Sequence, residues 1–113
     1  MRHALVAALA LAALALPAAA VARPAAAPVV ISIKAVNGKP VGGIKRTTIK
    51  KGSSVRLVVT TNVGKQVHLH GYNIEKSVVK GKPTVITFTA KVPGRFDLEL
   101  HSPDTLLAQL TVK

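Results

Sequence analysis

The chain has 113 residues, a formal net charge of +12 from 16 Lys and Arg against 4 Asp and Glu, and no Cys. That length supports one domain. The lack of Cys excludes a disulfide framework, an iron–sulfur cluster, a lipoprotein anchor and a thiol nucleophile, while the strong positive charge draws an exported protein toward anionic surfaces without specifying a fold.

Residues 1–22 begin Met-Arg-His, run through thirteen apolar residues from Ala4 to Leu16, and continue with Pro17 and small residues. A short basic start, an apolar stretch of this length and an Ala-x-Ala site make a secretory signal peptide. Cleavage after Ala20 or Ala22 fits equally well. We take Ala22, which leaves about 91 residues, about 40% of them apolar, an ordinary composition for a soluble domain. No later run approaches the roughly 20 apolar residues of a spanning helix. The mature chain is therefore expected to have no transmembrane segment and to be periplasmic or secreted. Residues 23–28, Arg-Pro-Ala-Ala-Ala-Pro, read as a flexible lead-in to a domain over residues 29–113.

The rest of the chain holds seven to eight short segments rich in Val, Ile and Thr, with no internal repeat and no helical period. The strands expected are Val29–Val36, Lys45–Lys50, Ser54–Thr61, Gln66–Tyr72, Ile74–Val79, Thr84–Ala90, Gly94–His101 and Thr105–Val112. Breaks fall at Asn37-Gly38, Gly42-Gly43, Lys51-Gly52, Asn62 to Gly64, Gly81 to Pro83, Pro93-Gly94 and Ser102-Pro103. Many short strands with regular turn signals predict an all-β antiparallel sandwich or barrel. Alternation sorts the faces: Phe96, Leu98 and Leu100 oppose Asp97, Glu99 and His101, Val67 and Leu69 oppose His68 and His70, and Ile86, Phe88 and Ala90 oppose Val85, Thr87 and Thr89.

Along this frame the first charged feature is the cluster Lys45, Arg46, Lys50 and Lys51. It reads as a solvated face that blunts edge pairing. No nucleic-acid partner is expected, because one Tyr, two Phe and no Trp are too few for stacking platforms. Next come His68 and His70, in His-Leu-His. On a strand, positions i and i+2 share a face with side chains about 7 Å apart at the base, so two imidazoles can converge on one metal ion. Neutral imidazole suits Cu, Zn, Ni and Fe. Gly71 reads as a bend that ends the strand, Tyr72 as a core or rim residue, and Asn73 as a turn residue. His101 ends the seventh segment on the same face as Asp97 and Glu99, and Asp104 follows. Three of the four acidic residues thus lie between positions 97 and 104, a local negative patch that attracts a cation. Neither a Gly-rich phosphate loop nor a Gly-x-Ser-x-Gly nucleophile motif is present, and no triad is evident around any Ser; no enzyme activity is expected.

Several elements carry a family resemblance: Lys50-Lys51-Gly52 before a Val-rich strand, His68-Leu69-His70-Gly71-Tyr72 in mid-chain, Thr84–Ala90, the run Pro93-Gly94-Arg95-Phe96-Asp97-Leu98-Glu99-Leu100-His101, and a closing strand. Together they resemble the cupredoxin family over roughly residues 29–113. The resemblance implies an exported Greek-key β-sandwich of a kind that mostly binds copper, with His70 or His68 matching the mid-chain His. The Cys that the family places near Leu100 or His101 is missing, and no Met follows. Blue copper requires the thiolate bond, so a blue electron-transfer site is excluded.

Two functions follow as expectations. The first is binding of a divalent transition metal, copper before zinc, through His68, His70 and His101 with Glu99 as fourth ligand and Asp97 and Asp104 supplying charge around them, for copper handling. The second is a metal-free module whose basic surface binds an anionic envelope component or an acidic protein. Because alternation puts the imidazoles opposite the apolar core, a metal site would lie on the sheet surface or at its rim, and the strands bearing His70 and His101 must be neighbours.

Overall fold

The computed structural model describes Ala4, residues 7–16 and residues 26–113. The expected cleavage sites at Ala20 and Ala22, and the first half of the lead-in, lie outside the described residues. Ala4 and residues 7–16 belong to no helix or strand. Among the described residues, no helix is long and apolar enough to cross a membrane.

The domain is built of nine strands: β1 (Val29–Val36), β2 (Lys39–Pro40), β3 (Lys45–Ile49), β4 (Ser54–Thr61), β5 (Gln66–Leu69), β6 (Ile74–Ser77), β7 (Thr84–Thr89), β8 (Gly94–His101) and β9 (Thr105–Val112). Eight of them occupy the segments expected from the sequence. The addition, β2, arises from Asn37-Gly38. Both residues have positive φ (51° and 80°), and Val36 pairs with Lys39 across them, as in a two-residue hairpin whose twist suits its flanking strands. The main shortfall is β5, which ends at Leu69 rather than Tyr72. Gly71, Asn73 and the residues around them turn the chain with φ of 84° and 53° at those two positions.

The strands form two sheets, β2-β1-β4-β7 and β3-β9-β8-β5-β6. Between β2 and β5 the chain changes sheet at every connection, and it does so again on either side of β7. The antiparallel expectation needs one correction: β1 runs parallel to β4, and β3 parallel to β9. Short turns enforce antiparallel neighbours, whereas parallel neighbours need a crossover. Here β2 and β3 intervene between β1 and β4, and most of the domain intervenes between β3 and β9.

Alternation closes the sandwich. Leu57, Val59 and Ile86 from the four-stranded sheet and Val67, Leu69, Leu98, Leu100 and Leu110 from the five-stranded sheet are fully buried. Removing such area from water is the main stabilising contribution, at about 25 cal/mol per Å². One irregularity occurs. A bulge between Leu98 and Glu99 shifts the β8–β9 register, so that the consecutive residues Leu107 and Ala108 are both buried, as expected when one extra residue interrupts a ladder. The basic cluster falls where edge protection is needed: β3 is an outer strand of its sheet, paired only with β9.

Candidate metal centre

The outer face of the five-stranded sheet is set by three neighbouring strands, β8, β5 and β6. In β5–β8 the register places His68 opposite Glu99 and Gln66 opposite His101. His101 is therefore the diagonal neighbour of His68, at a spacing within reach of long or ring side chains. His70 lies one residue past the end of β5, yet its N–H still donates to the Asp97 carbonyl at 2.9 Å, so it keeps the facing of His68. On the other side, the β5–β6 hairpin sets His68 opposite Glu75.

This register gathers the three imidazoles. Ring centroids are 4.2 Å apart for His68 and His70, 5.5 Å for His68 and His101, and 6.5 Å for His70 and His101. One nitrogen from each ring can be chosen so that all three lie within 4.8 Å of one another. The closest approach is His101 Nε2 to His68 Nδ1 at 3.4 Å. That is long for a hydrogen bond. It matches the separation of about 3.3 Å between two nitrogens sharing a tetrahedral ion at 2.0–2.1 Å each. The His70 side chain is 45% exposed, against 17% and 28% for His68 and His101, so its ring has room to turn toward the other two.

Each imidazole has a carboxylate of its own. Asp104 Oδ1 is 3.0 Å from His101 Nδ1, Glu99 Oε2 is 3.0 Å from His70 Nε2, and Glu75 Oε1 is 3.9 Å from His68 Nδ1. Asp104 also accepts from the Ser102 N–H at 3.3 Å. The His101 hydrogen bond, reinforced by that backbone donor, holds the Asp104 carboxyl below its ordinary value of 3.8. A carboxylate on Nδ1 keeps the proton there and leaves Nε2 as a lone-pair donor, and His101 Nε2 is the atom that approaches His68. Asp97 is tied elsewhere: Gln109 donates to its Oδ1 at 3.3 Å, and Arg46 donates to Gln109 at 3.1 Å. The chemistry of this donor set, three imidazoles with adjacent carboxylate oxygens, fits a first-row divalent ion.

His68, His70 and His101 are thus brought together as expected, on the outer face and with β5 and β8 adjacent. Glu99 stands directly beside them, bonded to His70. Glu75 escaped the sequence reading. Its signal was scarcity, since it is the one acidic residue outside the stretch from Asp97 to Asp104, but its place opposite His68 depends on β5 stopping at Leu69. Tyr72 is a rim residue. Its ring packs 4.6 Å from Phe88 and 4.8 Å from Phe96, and its hydroxyl donates to the Val92 carbonyl at 3.1 Å.

No family model matches the sequence, and no curated protein matches it. Solved structures do resemble the fold. A copper binding protein in its apo form is 15% identical, with a TM-score of 0.57 over 74% of this chain and 86% of that one. The metal binding domain of the Cu(I) exporting P-type ATPase CopA of Streptococcus pneumoniae D39, solved with Cu(I), is 19% identical, with a TM-score of 0.60 over 74% and 84%. Reduced auracyanin from Roseiflexus castenholzii is 16% identical, with a TM-score of 0.55 over 78% and 99%. At these identities the likeness is one of fold.

Proposed function

We propose that this cupredoxin-like sandwich is an exported protein that binds a divalent transition metal, copper first and zinc second, at a non-blue site made by His68, His70 and His101. The observation that carries the reading is the convergence of three imidazole nitrogens within 4.8 Å, each ring having a carboxylate at its side. Glu99 faces His68 across the ladder and touches His70, which makes it the oxygen donor best placed to join them. Copper leads because Cu(II) heads the affinity order for nitrogen and oxygen sites; the copper-binding neighbours of the same fold agree. Copper handling is favoured over catalysis, since among the described residues no nucleophile–base pair adjoins the site. Export rests on the leader at residues 1–22.

The test is a Cu(II) titration of the mature protein followed by electron paramagnetic resonance, with the His68→Ala/His70→Ala double variant alongside. One tight equivalent with nitrogen coupling that disappears in the variant is the expected result. Weak signals, equal in both proteins, would refute the reading.

A second reading has one observation in its favour. Every acidic side chain of the chain lies on or beside the imidazole face, so the Lys and Arg side chains dominate the remaining surface of the described domain. A metal-free module would use that surface on an anionic envelope component or an acidic protein. Such binding would weaken steeply with salt, because exposed charges are screened over about 8 Å at physiological ionic strength, and would ignore chelators.

A further inference from the structure

Three of the four acidic side chains of a +12 chain collect around one cluster of imidazoles, and the fourth, Asp97, lies on the same face of β8. Scattered charge would serve solubility equally well, so the placement calls for a local reason. Glu75, Glu99 and Asp104 each lie 3.0–3.9 Å from a different imidazole, and no sulfur donor is available anywhere beyond Met1. Soft monovalent copper is selected by thiolate and thioether ligands, which are lacking here. The carboxylates act in the same direction through charge. Coulomb energy scales with the charge of the bound ion, so a divalent ion gains twice what a monovalent ion gains from each of them.

Building on the metal-binding reading above, we propose that Glu75 and Asp104, with Glu99, form a charge-state filter that makes the His68–His70–His101 site accept the cupric ion, or another divalent ion, and disfavour the cuprous one. Asp104 also orients His101, but Glu75 approaches His68 at 3.9 Å, too far for a hydrogen bond, and works through its charge alone. Isosteric amides separate the two roles, since an amide carbonyl still accepts the His101 N–H while the charge is gone.

The experiment measures the affinity of the wild-type protein and of the Glu75→Gln/Asp104→Asn double variant for Cu(II), and anaerobically for Cu(I), by competition with chelators of known affinity. Both residues are well exposed, at 50% and 80%, so the variant should fold. A circular dichroism melt matching the wild type checks that, and the single Glu75→Gln variant carries the same test independently. Partners of metal-ligating His typically alter affinity 10–100-fold when changed. The expected loss is about tenfold per carboxylate for Cu(II), hence about 100-fold for the pair. For Cu(I) it is the square root of that, about tenfold for the pair. Equal losses for the two ions would overturn the filter and leave orientation as the only role of these carboxylates. No loss for either would overturn it as well. Wild-type protein that binds neither ion would remove the metal reading itself, and the filter with it.

Discussion

The two outer faces of the sandwich obey the same alternation but hold different chemistry. On the four-stranded sheet, Val30 pairs with Arg56 and Arg56 with Thr87, while Ser32 pairs with Val58 and Val58 with Val85. This face is a mixture of Ser, Thr, Val, Lys34 and Arg56, without an imidazole or a carboxylate. On the five-stranded sheet the matching positions run Glu75, His68 and Glu99 across three strands, flanked by His70 and His101. Solvation alone explains the first face. The second places three imidazoles side by side and sets a carboxylate beside each of them, an arrangement that solvation does not require. Alternation therefore decides only that a residue faces water. The neighbouring strand decides whether it has company.

The largest effect is expected where the site face is anchored to the core. A Cβ at Gly71 would overlap the Phe96 ring, and the backbone there has φ of +84°. Gly71→Ala is expected to cost about 3 kcal/mol or more through overpacking and left-handed strain and to displace His70. Gly52, between β3 and β4, also has positive φ (+92°) but nothing within 4 Å of such a Cβ. Gly52→Ala should cost only about 1–2 kcal/mol. Urea unfolding of both variants measures the contrast, and equal losses would show that the Phe96 contact does not anchor the site.

Removing a ring comes next. His101→Ala takes away the nitrogen nearest His68 and should lower Cu(II) affinity at least about 100-fold, the upper end of what even an indirect partner contributes. Thr87→Ala on the opposite face should leave it unchanged. A competition titration reads both.

A transplant sharpens the comparison further. Ser32→His with Lys34→His writes His-Ile-His onto β1, in a background lacking His68 and His70. The spacing and exposure are retained, but there is no third ring and no carboxylate nearby. Cu(II) should bind at least about tenfold more weakly than at the native face. Equal affinity would mean that spacing alone suffices and that the gathered carboxylates are incidental.

The smallest effect concerns Asp104. Its folded value is depressed by His101 and Ser102, so its contact is fully present above the ordinary value of 3.8 and is lost as pH falls through the lower folded value. Carboxyl NMR titration of the metal-free protein should give a midpoint below 3.8 that moves back up in His101→Ala. An unchanged midpoint in that variant would place the cause elsewhere. Protons also compete with metal for the ring nitrogens, so affinity should fall on acidification.

Much of this was legible in the residues. Val, Ile and Thr segments bounded by Gly, Pro and Asn marked eight of the nine strands, because turn chemistry and β-branching are local properties. Period-two patterning assigned Val67 and Leu69 inward and His68 and His70 outward, since the pleat alternates irrespective of partners. The ninth strand was written in Asn37-Gly38, a hairpin signal read only as a break. Glu75 was harder to place, because its position relative to His68 follows from the hairpin register, which a strand end misplaced by three residues shifts.

Eight of the nine strands, the inward and outward faces, the absence of a thiolate and the scarcity of acidic residues are all written in the order of residues along the chain. Each is a property of composition or of contacts between near neighbours in the chain. That β5 lies between β8 and β6, that β1 and β3 pair in parallel with distant strands, and that a bulge turns both Leu107 and Ala108 inward came from long-range packing. These depend on which strands share a sheet, set by how two amphipathic layers bury their apolar faces together rather than by any local pattern. His68 and His101 are 33 residues apart, and it is this packing that brings their nitrogens to 3.4 Å.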